Sequence, residues 1–177
     1  MKSSMSCALE SIKYICSNLF ESKRIFCLEI GEGAMSNANR WIKSLLDNLK
    51  ESLDDKTRIK VLENCGRKCC HSSGFYKKAQ ESMSKAKNNN EFLDKLGKVW
   101  SHLLREGENI YVVYDKCYCP LGRTLLKDYS GQLSLYCNCS RGWIKEMFES
   151  AIKKPVKVEL EKSIIRGDNL CRFKVTL

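Results

Sequence analysis

Histidine is scarce in this chain: His71 and His102 are the only two in 177 residues. That disfavours a catalytic zinc site built on several imidazoles, and hydrolytic chemistry would have to work through thiolates or carboxylates. A secretory signal is missing from the first twenty residues as well, because Glu10, Lys13 and Ser17 interrupt the apolar stretch from Ala8 to Phe20. No segment approaches the apolar length of a membrane span. Nor is there a long basic run interleaved with aromatics, although Lys and Arg outnumber Asp and Glu by 31 to 21. The positive charge lies on polar helix faces in short groups such as Arg67-Lys68, Lys77-Lys78 and Lys153-Lys154. A solvated surface accounts for it, and a nucleic-acid-binding zinc module is disfavoured. Internal repeats and low-complexity tracts are absent too.

What the chain has in quantity is cysteine, 11 in all. A cytoplasmic chain keeps its thiols reduced, so these read as ligands, reactive groups and small core residues, with disulfides as the alternative if the compartment is oxidising. Two Cys-x-Cys elements stand out, Cys117-Tyr118-Cys119-Pro120 and Cys137-Asn138-Cys139, with seventeen residues between them. A second group is Cys65-Gly66-Arg67-Lys68-Cys69-Cys70-His71.

The first half has helical periodicity. Met5, Leu9, Ile12, Cys16 and Leu19 form one stripe, and Trp41, Leu45, Leu49 and Leu53 form another. Asp54-Asp55 offers an N-cap to a helix carrying Ile59, Leu62 and Cys65, which Gly66 is expected to end or kink. Phe75, Ala79, Met83 and Ala86 predict a fourth helix. Lys87-Asn88-Asn89-Asn90 breaks it, and Phe92, Leu96, Val99 and Leu103, thickened by Trp100 and Leu104, predict a fifth.

After Gly107 the period changes. Ile110–Tyr114 is rich in β-branched and aromatic residues and Leu133–Cys137 alternates, so both predict strands. A helix follows from Ser140, with Trp143-Ile144, Met147-Phe148 and Ala151-Ile152 on its stripe and Pro155 closing it. Two more alternating runs, Val156, Val158, Leu160 and Cys171, Phe173, Val175, Leu177, flank a turn at Arg166–Asn169. The expected architecture is α+β: N-terminal helices followed by a β-β-α-β-β antiparallel sheet packed on helices. Residues 1–55 read as a helical segment and residues 56–177 as an α+β small-molecule-binding domain.

On strands, residues two apart share a face, so Cys117 and Cys119 would project together, as would Cys137 and Cys139. A hairpin turning at Asp128-Tyr129-Ser130-Gly131 would set Cys119 opposite Cys139, with Cβ atoms about 5 Å apart. The four sulfurs then suit zinc, with Zn–S bonds of about 2.3 Å, or an iron–sulfur cluster. Reduced thiols lining a small-molecule cavity are the alternative, and disulfides the third. If Cys65 and Cys69 share one helix face, Arg67, Lys68 and His71 supply charge that would lower a thiol pKa. Cys65, Cys69 and Cys70 are therefore the candidate nucleophiles of a hydrolase or thiol transferase, against a plain core role for Cys65 and Cys69. Cys7, Cys16 and Cys27 read as structural, and Cys171 as a buried thiol on a sheet face.

Tyr136-Cys137, the Gly142-Trp143 helix, Pro155–Leu160, Ser163–Asp168 and Cys171-Arg172-Phe173 together resemble the 4-vinyl reductase domain family. With Cys65-Gly66-Arg67 and Cys117-Tyr118-Cys119-Pro120, the chain is also similar to amino-thiazoline-carboxylate hydrolase-like proteins. The resemblance covers roughly residues 60–177. It implies an α+β small-molecule-binding domain, often a homodimer, in which some members sense aromatic ligands and hold zinc. The zinc ligands of such relatives fall on Cys137 and Cys171 here, while their intervening acidic and cysteine positions are Leu160 and Ser163.

Overall fold

The computed structural model describes residues 37, 40–119 and 133–177. The chain divides between Leu46 and Asp47, and the second unit, Asp47–Leu177, contains the sheet and the core. Residues 40–52 are helical. The expected helix at Met5–Leu19, the turn at Asp128–Gly131, and Cys7, Cys16 and Cys27 lie outside the described residues.

Helix α1 spans Asp55–His71, α2 Gly74–Ser84 and α3 Asn89–Val99. Each start has a side-chain cap. Asp54 accepts from the Thr57 amide at 3.0 Å, Ser73 from Tyr76 at 3.3 Å and Asn88 from Glu91 at 3.0 Å. Glu91 Oε2 reaches back to accept from the Lys87 amide at 2.9 Å, which ties down the residue before the cap, while the Asn88 side chain satisfies one orphan donor of α3.

Strand β1 is Leu103–Glu106 and β2 is Asn109–Tyr114, followed by a 3₁₀ turn at Leu133–Tyr136, helix α4 at Cys137–Ile152, and strands β3, Lys157–Lys162, and β4, Cys171–Thr176. All neighbours are antiparallel, in the order β1-β2-β4-β3. The fold is α+β, and the sequence of elements after α3 is β-β-α-β-β as expected.

Its first two strands are not the expected pair. Leu103 and Leu104 continue the apolar stripe of α3, yet that helix stops at Val99 and they belong to β1. The hairpin closes through Gly107-Glu108, with Gly107 at φ +60, the conformation a two-residue hairpin loop needs. The expected strand Leu133–Cys137 is a 3₁₀ turn running into α4. Two observations give the reason. Tyr136 and Cys137 are consecutive and both buried, a pattern that the one-face-buried alternation expected of this strand does not give and a helix start does. Strand β2, moreover, already has β1 on one side and β4 on the other.

The core lies between the helices and the inward face of the sheet, centred on Phe92, Leu96, Ile144, Met147, Phe148 and Phe173. Strand β4 alternates as expected, with Cys171, Phe173 and Val175 buried. Its register sets Phe173 against Val112 and Cys171 against Tyr114. On the opposite side of β4, Arg172 lies 3.7 Å from the Tyr111 ring and bonds Glu106 at 2.7 Å.

Helices α1 and α4 cross at unusually close range. A Cβ on Gly66 would lie 1.8 Å from the Cys139 carbonyl oxygen, and one on Gly142 would lie 2.0 Å from that of Glu63. Gly66 does not end α1, which continues five residues further. The crossing is flanked by reciprocal ion pairs. From α1, Arg67 reaches Glu146 at 2.9 Å and Glu149 at 2.6 Å. From α4, Arg141 and Lys145 both engage Glu63.

Candidate functional site

A cavity of about 290 Å³ opens where the C-terminal end of β2 and the start of β4 meet the first turns of α4. Its lining has two chemically distinct parts. One is aromatic. Phe75, Trp100 and Trp143 pack together with ring centroids 5.9–6.5 Å apart. His102, Tyr114 and Tyr118 form a second trio at 4.7–5.8 Å. Trp100 links the trios through His102 at 6.3 Å, and Tyr114 extends the wall to Phe173 at 6.2 Å. These spacings are typical of tilted and edge-to-face ring pairs.

The other part carries sulfur: Cys69, Cys117, Cys119, Cys137, Cys139 and Cys171 all line the cavity. Among the described residues no Asp or Glu lines it, and Lys116 is its one Lys or Arg. The surroundings are apolar, and burial dominates the acidity of the thiols. It pushes Cys139 up to about 12, and the thiols of Cys119, Cys69, Cys65 and Cys137 add to the effect. It also raises Cys137, partly offset by a hydrogen bond with Ser163. The Tyr136 phenol is raised by burial and then by its contact with Cys119.

All four residues of the two Cys-x-Cys elements thus reach one cavity, though not by the route expected. Cys117 and Cys119 lie beyond the end of β2, and Cys137 and Cys139 are on a helix, where residues two apart diverge by about 200°. Their sulfurs take different partners. Cys119 Sγ lies 2.8 Å from the Tyr136 hydroxyl, and Cys137 Sγ lies 3.0 Å from the Ser163 hydroxyl in the buried interior. Cys117 Sγ donates to the Cys119 carbonyl at 3.9 Å. Among the described residues no three His, Cys, Asp or Glu side chains converge closely enough to hold a metal ion. As placed, the four cysteines do not fit a tetrahedral zinc ion or a four-thiolate iron–sulfur cluster.

Cys137 and Cys171, the positions implied by family resemblance, are brought to one neighbourhood. Ser163 bonds the first, and the adjacent Ile164 amide donates to the second at 3.4 Å. Of the candidate nucleophiles, Cys65 and Cys69 are exposed and Cys69 alone lines the cavity. Cys70 is fully buried in the core. Its thiol is pushed up to about 12, by burial first and then by the Glu146 carboxylate. Of the three residues expected to have the opposite effect, Arg67, Lys68 and His71, the first and last are engaged elsewhere, since both bond Glu146.

The sequence reading missed the aromatic wall, because Phe75, Trp100 and Trp143 sit on helical stripes where a core role explains them. Ser163 and Tyr136 as sulfur partners carried no local signal at all, since each contact joins residues far apart in the chain. No helix among the described residues is long and apolar enough to cross a membrane. Comparison with curated proteins finds no match. A family model does match, over residues 5–177, and the chain belongs to that family, the family of unknown function DUF6144.

Proposed function

We propose that this is a cytoplasmic small-molecule-binding protein that takes a neutral, planar aromatic ligand into the cavity between α4 and the β2–β4 end of the sheet. One observation carries the reading: an aromatic wall and a sulfur-bearing wall face the same apolar cavity, with no carboxylate among the described lining residues. Its volume is close to the lower end of the roughly 300–1,000 Å³ found for ligand pockets. Rings would stack against Trp100 and Trp143, and thiols supply soft, weakly polar contacts. A ligand with a fixed positive charge would find no carboxylate to pair with. The resemblance to 4-vinyl reductase domains, some of which sense aromatic molecules, points the same way. A cytoplasmic location suits thiols that stay reduced.

The test is titration of reductively purified protein with 1-naphthol, followed by tryptophan fluorescence. Saturable binding near one per chain is expected, and Ile165→Trp, which fills the cavity from the turn before β4, should abolish it while leaving the circular dichroism unchanged. Absence of saturable binding, or equal binding in the Ile165→Trp variant, refutes the reading. A cysteine-dependent hydrolase or thiol transferase is the second reading, favoured by Cys69, which is both exposed and part of the lining. Its mark would be a Cys69 alkylation rate well above that of Cys65 at neutral pH.

A further inference from the structure

Two cysteines reach the sulfur-bearing wall from different elements. Cys119 comes from the segment after β2 and Cys139 from the first turn of α4, and both line the cavity. Tyr136 connects them. Its hydroxyl is 2.8 Å from Cys119 Sγ, and it stands three residues before Cys139, on the same side of the chain as the 3₁₀ turn passes into α4. The aromatic wall lines another part of the cavity, with Trp100 and Trp143 centred 5.9 Å apart. A metal ion held by thiolates requires the thiols to ionise in apolar surroundings, which burial opposes. A trivalent metalloid makes no such demand.

We propose that Cys119 and Cys139 together capture a trivalent aryl metalloid, such as an aryl arsenical, with its ring against Trp100 and Trp143. The step balances without any redox partner. Two As–O bonds of the arylarsonous acid break and two As–S bonds form, each thiol proton leaves with a hydroxyl as water, and arsenic stays trivalent. The adduct is neutral, as an apolar wall without carboxylates favours. The raised pKa of Cys139 fits this chemistry, since Cys119 is the ionisable neighbour that weighs most on it. A thiol that keeps its proton is no obstacle where the proton departs in water. This inference rests on the cavity being a ligand site and names the ligand class that its sulfur wall would add.

The experiment uses full-length reduced protein and phenylarsine oxide, which hydrates to the arsonous acid in water. Intact mass, followed by alkylation and peptide mapping, should find one phenylarsenic group per chain, with Cys119 and Cys139 protected from alkylation together. The adduct should persist in Cys65→Ser and Cys171→Ser and be lost in Cys119→Ser and in Cys139→Ser. Should either of the last two fold poorly, the protection pattern of the unaltered protein decides alone. No adduct, or one bridging Cys65 with Cys69, Cys69 with Cys70 or Cys137 with Cys171, overturns the proposal. If the adduct fails while 1-naphthol still binds, the dithiol inference falls by itself; if naphthol binding fails too, the cavity reading falls with it.

Discussion

Replacing Gly66 with alanine adds one methyl group at the place where α1 and α4 are closest. That methyl would lie 1.8 Å from the Cys139 carbonyl oxygen, 2.7 Å from its carbon and 2.9 Å from the Trp143 amide nitrogen. All three are backbone atoms, so no rotamer change relieves the collision. Ordinary contact begins at about 3.4 Å, and α4 would have to withdraw by about 1.6 Å. Withdrawal stretches the Arg67 bonds to Glu146 and Glu149 and loosens the core cluster to which Cys70 of α1 and Ile144 of α4 both belong. Overpacking costs about 1–3 kcal/mol where side chains can adjust, and a backbone collision belongs at or above the top of that range. Alanine recovers up to about 1 kcal/mol as the better helix former. The net expectation is a loss of about 2–3 kcal/mol, or about 5–10 °C in melting temperature for a domain of this size. Gly74→Ala is the control, because nothing lies within 4 Å of its added methyl. Urea unfolding followed by circular dichroism compares the two. If Gly66→Ala unfolds at the same urea concentration as Gly74→Ala, the close crossing does not exist.

Three further outcomes follow from the same structure. In the folded protein Cys70 and Cys139 keep their protons up to about pH 12, while in the unfolded chain they release them near 9.0. The folded state then binds more protons between these values, so stability is full below about pH 9 and falls as pH rises toward 12; urea midpoints across that window should fall less steeply in a Cys70→Ser, Cys139→Ser double variant, and an equal slope would contradict the assignment. Ser163→Ala removes the partner of the buried Cys137 thiol and should lower stability by about 1 kcal/mol in urea unfolding, with no change meaning that the 3.0 Å contact contributes nothing. Arg67→Met leaves two partly buried carboxylates short of a cation. A loss of about 2 kcal/mol is expected at pH 7 by thermal unfolding, shrinking as pH falls through the range where Glu146, held below the usual carboxylate range despite the opposing effect of burial, takes up its proton.

Where burial on one face decided structure, the sequence was readable. The Ile59–Leu62 stripe, the Asp54 cap, the Phe92–Leu96 stripe and the Cys171–Phe173–Val175 alternation each state their period within a few residues. Leu133–Cys137 misled because four or five alternating residues suit a strand and a helix entrance equally, and what decides between them, the burial of both Tyr136 and Cys137 and the occupied edges of β2, is set by the fold. Leu103 and Leu104 misled for the reverse reason: they extend the α3 stripe, and the stop at Val99 is set by their pairing with Val112 and Tyr111. The site was legible as residue types but not as geometry. Its cysteines could be nominated from spacing, whereas their distribution among Tyr136, Ser163 and the Ile164 amide depends on contacts made across the fold.

The glycine contact between α1 and α4 also has a mechanical consequence. Two backbones touching with no side chain between them leave nothing to compress or rotate, so the helices behave as a single rigid part. Cys69 and Cys139 ride on that part. A guest larger than the resting cavity must therefore make room by displacing Tyr114, Phe173 and the residues beyond β2, and any signal of occupancy would emerge through the strands rather than through the helices.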